Sequence, residues 1–513
     1  MAGTNENAAV YFVDRHAAAD YRDKPAFIEG LTERSISYAE LARETGRLAE
    51  FYERHDLRPE DRVAMLVLDQ IEFPVVFWGS LKAGVVPVAL NTLLTTDSYR
   101  FILDDSRARA LVVSQELLPA VEPLFGKIRT LEKVFVIGHA VPDGCISLRE
   151  ELEKSAVREP VEVSSDECAF WLYSSGSTGQ PKGVRHVHGS LKATSDTYGA
   201  KVLGIERDDR VFSVAKMFFA YGLGNAMTFP MSVGATTIIL SGRPTPDAAF
   251  QILNTFEPTI FYGVPTLYAA MNAAMDSGKS KVNHALRRCV SAGEALPREV
   301  GLKWQKHTGC EILDGVGSTE MLHIFLSNAP GDVEYGTSGT AVPGYEIRLV
   351  NEAGEEVGDG EVGELLVRGD SAAVEYWNLR DKSRGTFEGF WTRTGDKYER
   401  AASGRLVYCG RTDDMFKVSG IWVSPFEIES ALIDHPSVLE AAVVAHRDEE
   451  GLEKPKAFVV LKEGASSAEL DAELKEHVKE TAGMWKYPRW IEFIDELPKT
   501  ATGKIQRFKL RDE

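Results

Sequence analysis

The chain has 513 residues, of which 44% are hydrophobic and 26% charged, the composition of a globular protein too long for one ordinary core. Its net charge of −19 argues against nucleic acid as the main partner, because phosphate neutralisation needs a basic face. Five scattered cysteines with no C-x-x-C pair fit buried thiols in a reducing compartment, so a cytoplasmic protein without a disulfide framework is expected.

Residues Met1–Ala8 show no basic segment followed by an apolar run, and no signal peptide is expected. Ser37-Tyr-Ala-Glu40 has the spacing of a capping box and opens an amphipathic helix running to about His55. Arg62–Leu68, Ala110–Val113 and Val134–Ile137 read as buried strands. Cys168–Tyr173 and Gly183–His188 read as two more, joined by Ser174-Ser-Gly-Ser-Thr-Gly-Gln-Pro-Lys182. Glycines let backbone N–H groups approach an anion, and hydroxyls and a lysine complete a phosphate cradle. The loop is not a Walker A motif: counting from Gly176 puts Pro181 at the second glycine and Gly183 at the Ser/Thr position. The bland alternative for such a cluster is a surface loop. His186 and His188 would share one strand face, but no further ligand stands at zinc-like spacing.

Between Lys216 and Arg243 there is no charged residue. Gly222, Gly224, Pro230 and Gly234 break any single helix there, which favours a buried loop, a short helix and a strand over a membrane span. Pro258–Tyr262, Arg288–Ala292 and Glu311–Asp314 are strand-like and end in glycine-bearing turns, where open α/β sheets bind ligands. From about residue 335 short strands dominate, and a further unit begins near Arg411. Small polar residues at Thr412–Asp414 suggest a hinge, with Asp413 at its centre.

Four further motifs follow the phosphate loop: Ser291–Pro297, Asp314–Glu320, Trp391–Asp396 and Gly410–Gly420. Pro498–Lys504 closes the set. In this order they resemble the adenylate-forming superfamily of acyl-CoA synthetases, peptide-synthetase adenylation domains and luciferases, over nearly the whole chain. Phe218–Asn225, Phe261–Tyr268 and Gly317–Phe325 are most similar to benzoate-CoA ligases, 4-hydroxybenzoate-CoA ligases included.

The resemblance implies an α/β fold: a large N-terminal domain (1–411) of stacked α/β sheets with a small β-barrel-like part, and a small mobile α+β C-terminal domain (412–513). It implies ATP, Mg²⁺ and coenzyme A, and activation of an aromatic acid through an acyl-adenylate. Ser174, Ser175, Gly176, Ser177, Thr178 and Lys182 would surround the β/γ-phosphates, with Thr319 at the α-phosphate and Glu320 on the metal. Gly293, Glu294, Ala295 and Asp314 would frame adenine. Asp396 would accept the ribose hydroxyls, with Arg411 near ribose or phosphate. Lys504 would carry most of the adenylation rate, and its acetylation by a lysine acetyltransferase would be regulatory. Gly420 would leave room for pantetheine; the aromatic Trp422 departs from the arginine of some acetate-type relatives. Ala220, Tyr221, Gly317, His323 and Ile324 would line an aryl slot, with glycine leaving space for the ring. Its apolar neighbours favour benzoate over 4-hydroxybenzoate, and an unpaired polar atom on Tyr221 or His323 would favour the hydroxylated acid. A homodimer is compatible with this class. Loading of a carrier protein, a luciferase-type oxygenase and a silent nucleotide sensor are the alternatives.

Overall fold

Two sheets organise the first 346 residues, and both arise from short β-branched runs buried on both faces. The computed structural model describes residues 5–175, 180–278, 280–282, 285–412, 414–418, 421–448, 452–462, 470–483, 486–499 and 505–511. By packing, the chain divides into two units: residues 1–346 with 367–392, and residues 347–366 with 393–513. The expected division at residue 411 concerns motion, which packing does not decide, and its centre Asp413 lies outside the described residues.

In the first unit an eight-stranded sheet runs in the order Glu375–Tyr376, Pro181–Val187, Cys168–Ser175, Val86–Ala89, Arg62–Leu66, Ala110–Ser114, Lys133–Ile137 and Ile146–Ser147. From Cys168–Ser175 to Ile146–Ser147 the neighbours are parallel. The helix Glu72–Lys82 is apolar on all sides and buried from Phe73 onward. The helix Tyr38–Arg54 carries the expected capping box, with Ser37 and Glu40 bonded reciprocally.

The second sheet has nine strands, with Arg210–Ser213, Thr236–Ile239, Ile260–Gly263, Arg288–Ser291 and Ile312–Gly317 parallel at its centre. Ile312–Gly317 is then joined antiparallel by Ile324–Ser327. The uncharged stretch resolves into the short helices Ala220–Leu223 and Phe229–Val233 and the strand Thr236–Ile239. Gly234, at φ +78°, ends the second helix in the left-handed region. Among the described residues no helix is long and apolar enough to cross a membrane.

The second unit contains, from Arg393 onward, most of the strand Trp391–Arg400, which pairs antiparallel with Leu406–Arg411, the helix Pro425–Asp434, and a three-stranded sheet of Val438–Arg447, Glu453–Leu461 and Trp490–Phe493. Its C-terminal helix, Arg507–Arg511, is tied down by charge. Arg507 donates to both carboxylate oxygens of Glu429, at 3.0 and 2.7 Å, and Glu429 also accepts from the Val443 N–H at 2.7 Å. The Glu429 side chain is 5% exposed. Removing one member of a buried, hydrogen-bonded pair leaves an uncompensated charge. Glu429→Ala should therefore cost the second unit about 3–5 kcal/mol. Hydrogen exchange in Val438–Arg447 and Glu453–Leu461 should accelerate while the first unit keeps its protection; unchanged exchange there would refute this anchoring role.

Candidate active site

Strand pairing places the first functional side chains. Cys168–Ser175 and Pro181–Val187 pair antiparallel, with Ser174 opposite Lys182, Ser175 opposite Pro181 and Phe170 opposite His186. The expected loop between two strands is thus present. Gly176, Ser177 and Thr178 lie outside the described residues, as do Gly420 and Lys504. The far edge of Pro181–Val187 pairs with the two-residue strand Glu375–Tyr376, Tyr376 facing Val184.

Tyr376 collects two of the expected phosphate-handling groups. Its buried ring lies under the Lys182 ammonium, 4.5 Å from Nζ, and its hydroxyl donates to Glu320 Oε1 at 2.7 Å. Glu320 is half-buried, and its second oxygen has no protein partner among the described residues. The backbone around it is held from two sides. His186 Nε2 donates to the Thr319 carbonyl at 2.8 Å, and the Ala373 N–H donates to the Glu320 carbonyl at 2.7 Å. The His186 ring stacks on Phe170 with centroids 5.1 Å apart. Burial lowers its pKa to about 4, so it is a neutral donor at neutral pH. Ser371 Oγ donates to the Met321 carbonyl at 2.7 Å. Leu322, buried, sits at φ +66°, so the chain reverses within Glu320–His323 through the left-handed region that side chains avoid.

That reversal carries His323 towards Tyr221. His323 Nε2 lies 3.2 Å from the Tyr221 carbonyl and 3.1 Å from Asn225 Oδ1. A carbonyl only accepts, so Nε2 bears the proton and Nδ1 is a bare acceptor. Nδ1 is buried and has no hydrogen-bond partner among the described residues. Burial depresses the pKa to about 3 and keeps the ring neutral. Phe229, Tyr198 and Tyr221 surround it, with ring centroids 4.5, 5.4 and 5.7 Å away. The Tyr221 hydroxyl is engaged by the Gly263 and Val290 carbonyls at 3.2 and 3.4 Å. Ala220 and Ile324 are buried beside them. The turn leading into Ala220 is fixed by buried Asp69, whose carboxylate accepts from the Met217 N–H.

The glycines have a reason independent of any ligand. A Cβ on Gly317 would lie 2.4 Å from the His323 carbonyl oxygen, and one on Gly315 would lie 2.9 Å from Ile324 Cγ2. Contact between the strands Ile312–Gly317 and Ile324–Ser327 forbids side chains there, with no need to invoke room for a ligand. A Cβ on Gly224 would lie 2.3 Å from Cδ2 of the His323 ring.

The presumed adenine frame hangs on one acid. Asp314 accepts from the Leu296 N–H at 3.4 Å through Oδ2, tethering the turn of Gly293, Glu294 and Ala295. Gly293 and Glu294 are exposed, and Gly293 has φ +98°. Asp314 Oδ1 is buried without a partner among the described residues, and burial pushes the carboxyl well above its usual pKa. In the second unit Asp396 and Arg411 face each other across paired strands, Arg411 Nη1 donating to Asp396 Oδ1 at 2.9 Å. The second-unit pair and the first-unit groups are thus each preformed. Sequence reasoning missed Tyr376, which stands in no motif, and saw His186 only as a metal candidate; the alternation of His186 with Lys182 along one strand was the available signal.

An open parallel sheet with a hydroxyl- and glycine-rich loop, a lysine at its exit and a carboxylate beside it is the build of a nucleotide-using α/β enzyme. Residues 14–377 match the model of the AMP-binding enzyme family, and residues 427–504 match the AMP-binding enzyme C-terminal domain. The chain belongs to the AMP-binding enzyme family. It is 51% identical over 512 residues to a 4-hydroxybenzoate–CoA/benzoate–CoA ligase of Rhodopseudomonas palustris, covering 99% of this chain and 94% of that one. It is 53% identical over 512 residues to a benzoate–CoA ligase of Thauera aromatica, covering 98% and 95%. A crystallised benzoate CoA ligase from Burkholderia xenovorans LB400 superposes with a TM-score of 0.90 at 49% identity, covering 98% and 99%. The α/β fold with a large N-terminal and a small C-terminal part is therefore that of its relatives.

The raised pKa of Asp314 has a stability consequence. The folded state keeps a proton that the unfolded chain gives up above about pH 4. Its contribution is full at low pH and is lost as pH rises towards the folded value. Asp314→Asn copies the protonated acid at every pH. The variant's apparent Tm should exceed the parent's at pH 8, and the gap should close towards pH 4. An equal gap at both pH values would show that the carboxyl does not titrate in this way.

Proposed function

We propose that this chain is an ATP- and CoA-dependent, AMP-forming ligase that converts benzoate to benzoyl-CoA through benzoyl-adenylate, releasing pyrophosphate. The observation that carries this reading is the convergence of Lys182 and Glu320 on Tyr376, with Glu320 three residues along the chain from His323 of the buried aromatic cluster that includes Tyr221. A carboxylate is a poor acyl donor because its leaving group would be oxide; transfer to the α-phosphorus of ATP replaces that group with AMP. In-line displacement of pyrophosphate needs positioning and charge neutralisation more than acid–base chemistry.

The residues divide that work. Ser174, Ser175, Gly176, Ser177, Thr178 and Lys182 bind the β/γ-phosphates, and Thr319 meets the α-phosphate. Glu320 fits a magnesium ion, which takes one or two carboxylates plus phosphate and water oxygens, and its second oxygen has no protein partner among the described residues. Bound there, the ion would neutralise charge developing on the phosphates. Asp314 offers its unpaired oxygen at the adenine turn. Asp396 and Arg411 take the ribose. Lys504 supplies the cation that meets the bridging oxygen as it departs. Rotation about Asp413, dividing 1–411 from 412–513, then brings Gly420 into use for the pantetheine thiol. Acetylation of Lys504 would delete its charge, and a cytoplasmic homodimer completes the reading.

Lys504→Ala should lower benzoyl-adenylate formation by at least about a hundredfold, the scale of losing one transition-state donor. Thioester formation from supplied benzoyl-adenylate should be nearly retained. Equal loss of both half-reactions, followed by pyrophosphate release and thioester yield, would remove Lys504 from this role.

A second reading, 4-hydroxybenzoate as the preferred acid, is favoured by one atom. His323 Nδ1 is an acceptor with no partner among the described residues, whereas the Tyr221 hydroxyl is engaged. A site built to bond a hydroxyl rejects the analogue lacking it strongly, while an apolar slot discriminates by about 1–3 kcal/mol per methylene-sized difference. kcat/KM for both acids should favour benzoate in the parent and in His323→Ala. A parent preference for 4-hydroxybenzoate that vanishes in His323→Ala would replace benzoate with the hydroxylated acid. Preference for a medium-chain fatty acid would overturn the aryl reading.

A further inference from the structure

We infer that Tyr376 is a positioning residue that sets the Glu320 carboxylate for its cation through its hydroxyl and supports the Lys182 ammonium through its ring. The inference rests on the reading above that Glu320 serves magnesium and Lys182 serves the polyphosphate.

Four observations support it. The Tyr376 hydroxyl reaches Glu320 Oε1 at 2.7 Å and leaves Oε2 without a protein partner among the described residues. A carboxylate with one oxygen fixed presents the other in one orientation, and the entropy of orienting it is lost before the ligand arrives. Lys182 Nζ stands 4.5 Å from the centroid of the same ring, where the face of the aromatic quadrupole is negative. The tyrosine is itself held on three sides. Strand pairing fixes it opposite Val184, its N–H donates to Ser383 Oγ at 3.0 Å, and its ring packs 5.4 Å from that of Phe387. The segment bearing it also bonds the backbone of its target, since the Ala373 N–H donates to the Glu320 carbonyl and Ser371 Oγ to that of Met321. Glu320 therefore has its main chain and its side chain held by the same stretch, 371–376. One aromatic residue thus serves both groups: its ring accepts the ammonium and its hydroxyl serves the carboxylate.

The test uses the full chain and measures ATP binding by calorimetry as Mg²⁺ is titrated, without aryl acid. Tyr376→Phe removes only the hydroxyl. It should raise the Mg²⁺ concentration for half-maximal ATP binding about tenfold, the scale of one hydrogen bond to a charged group. Affinity for a non-hydrolysable benzoyl-adenylate analogue, which lacks the β- and γ-phosphates, should stay within twofold and reports an intact fold. Tyr376→Leu should in addition weaken metal-free ATP binding. Glu320→Gln should raise the Mg²⁺ requirement at least as far as Tyr376→Phe, and the double variant should add nothing to Glu320→Gln. If Glu320→Gln leaves the Mg²⁺ requirement unchanged, the metal reading of Glu320 falls and the inference falls with it. If Glu320→Gln raises it but Tyr376→Phe does not, or if the two effects add independently, the reading of Glu320 stands and the positioning role is overturned. Equal weakening of the adenylate analogue by Tyr376→Phe would make the hydroxyl a support of the fold and overturn the role as well.

Discussion

The site of the first unit depends on the antiparallel register of Cys168–Ser175 with Pro181–Val187. Successive residues of a strand point to opposite faces. Lys182, Val184 and His186 share one face, and each meets a part of the site: the Tyr376 ring, the Ala373–Tyr376 segment, and the Thr319 carbonyl. A slip of one residue would turn all three away together and present Gly183, Arg185 and Val187 instead. Burial helps set the register: Val184 and His186 are inside, and a slip would put the Arg185 guanidinium in their place.

Most of the architecture was readable because its signals are local. The Ser37–Glu40 cap, the short apolar runs and the glycine at the end of Phe229–Val233 act within a few residues, and each marks an element that is present. The phosphate loop was legible as a junction of two strands for the same reason. What stayed hidden depends on pairs distant in sequence. Tyr376 is 56 residues from Glu320. Nothing in Glu375-Tyr-Trp-Asn378 distinguishes it from an ordinary edge strand. The glycines at 315 and 317 were visible, but their cause was not, because the strand that excludes their side chains returns only after the Leu322 reversal.

The two histidines of this region illustrate how burial decides chemistry. His186 and His323 are both desolvated and held neutral, each with Nε2 committed to a backbone carbonyl. Neither is poised as an acid or base near neutral pH. Each acts as a rigid neutral dipole, His186 fixing the Thr319 end of the turn and His323 holding a bare Nδ1 at the other end. That fits a reaction in which charge placement, not proton transfer, lowers the barrier.

Leu322 gives the turn a property that neither end has alone. With its backbone in the left-handed region and its side chain buried, the path from Glu320 to His323 has few other ways to close. Glu320 and His323 are three positions apart on one stiff lever. On the proposed reading, a change that reshapes the surroundings of His323 also disturbs the Glu320 carboxylate, which would couple acid range to nucleotide handling.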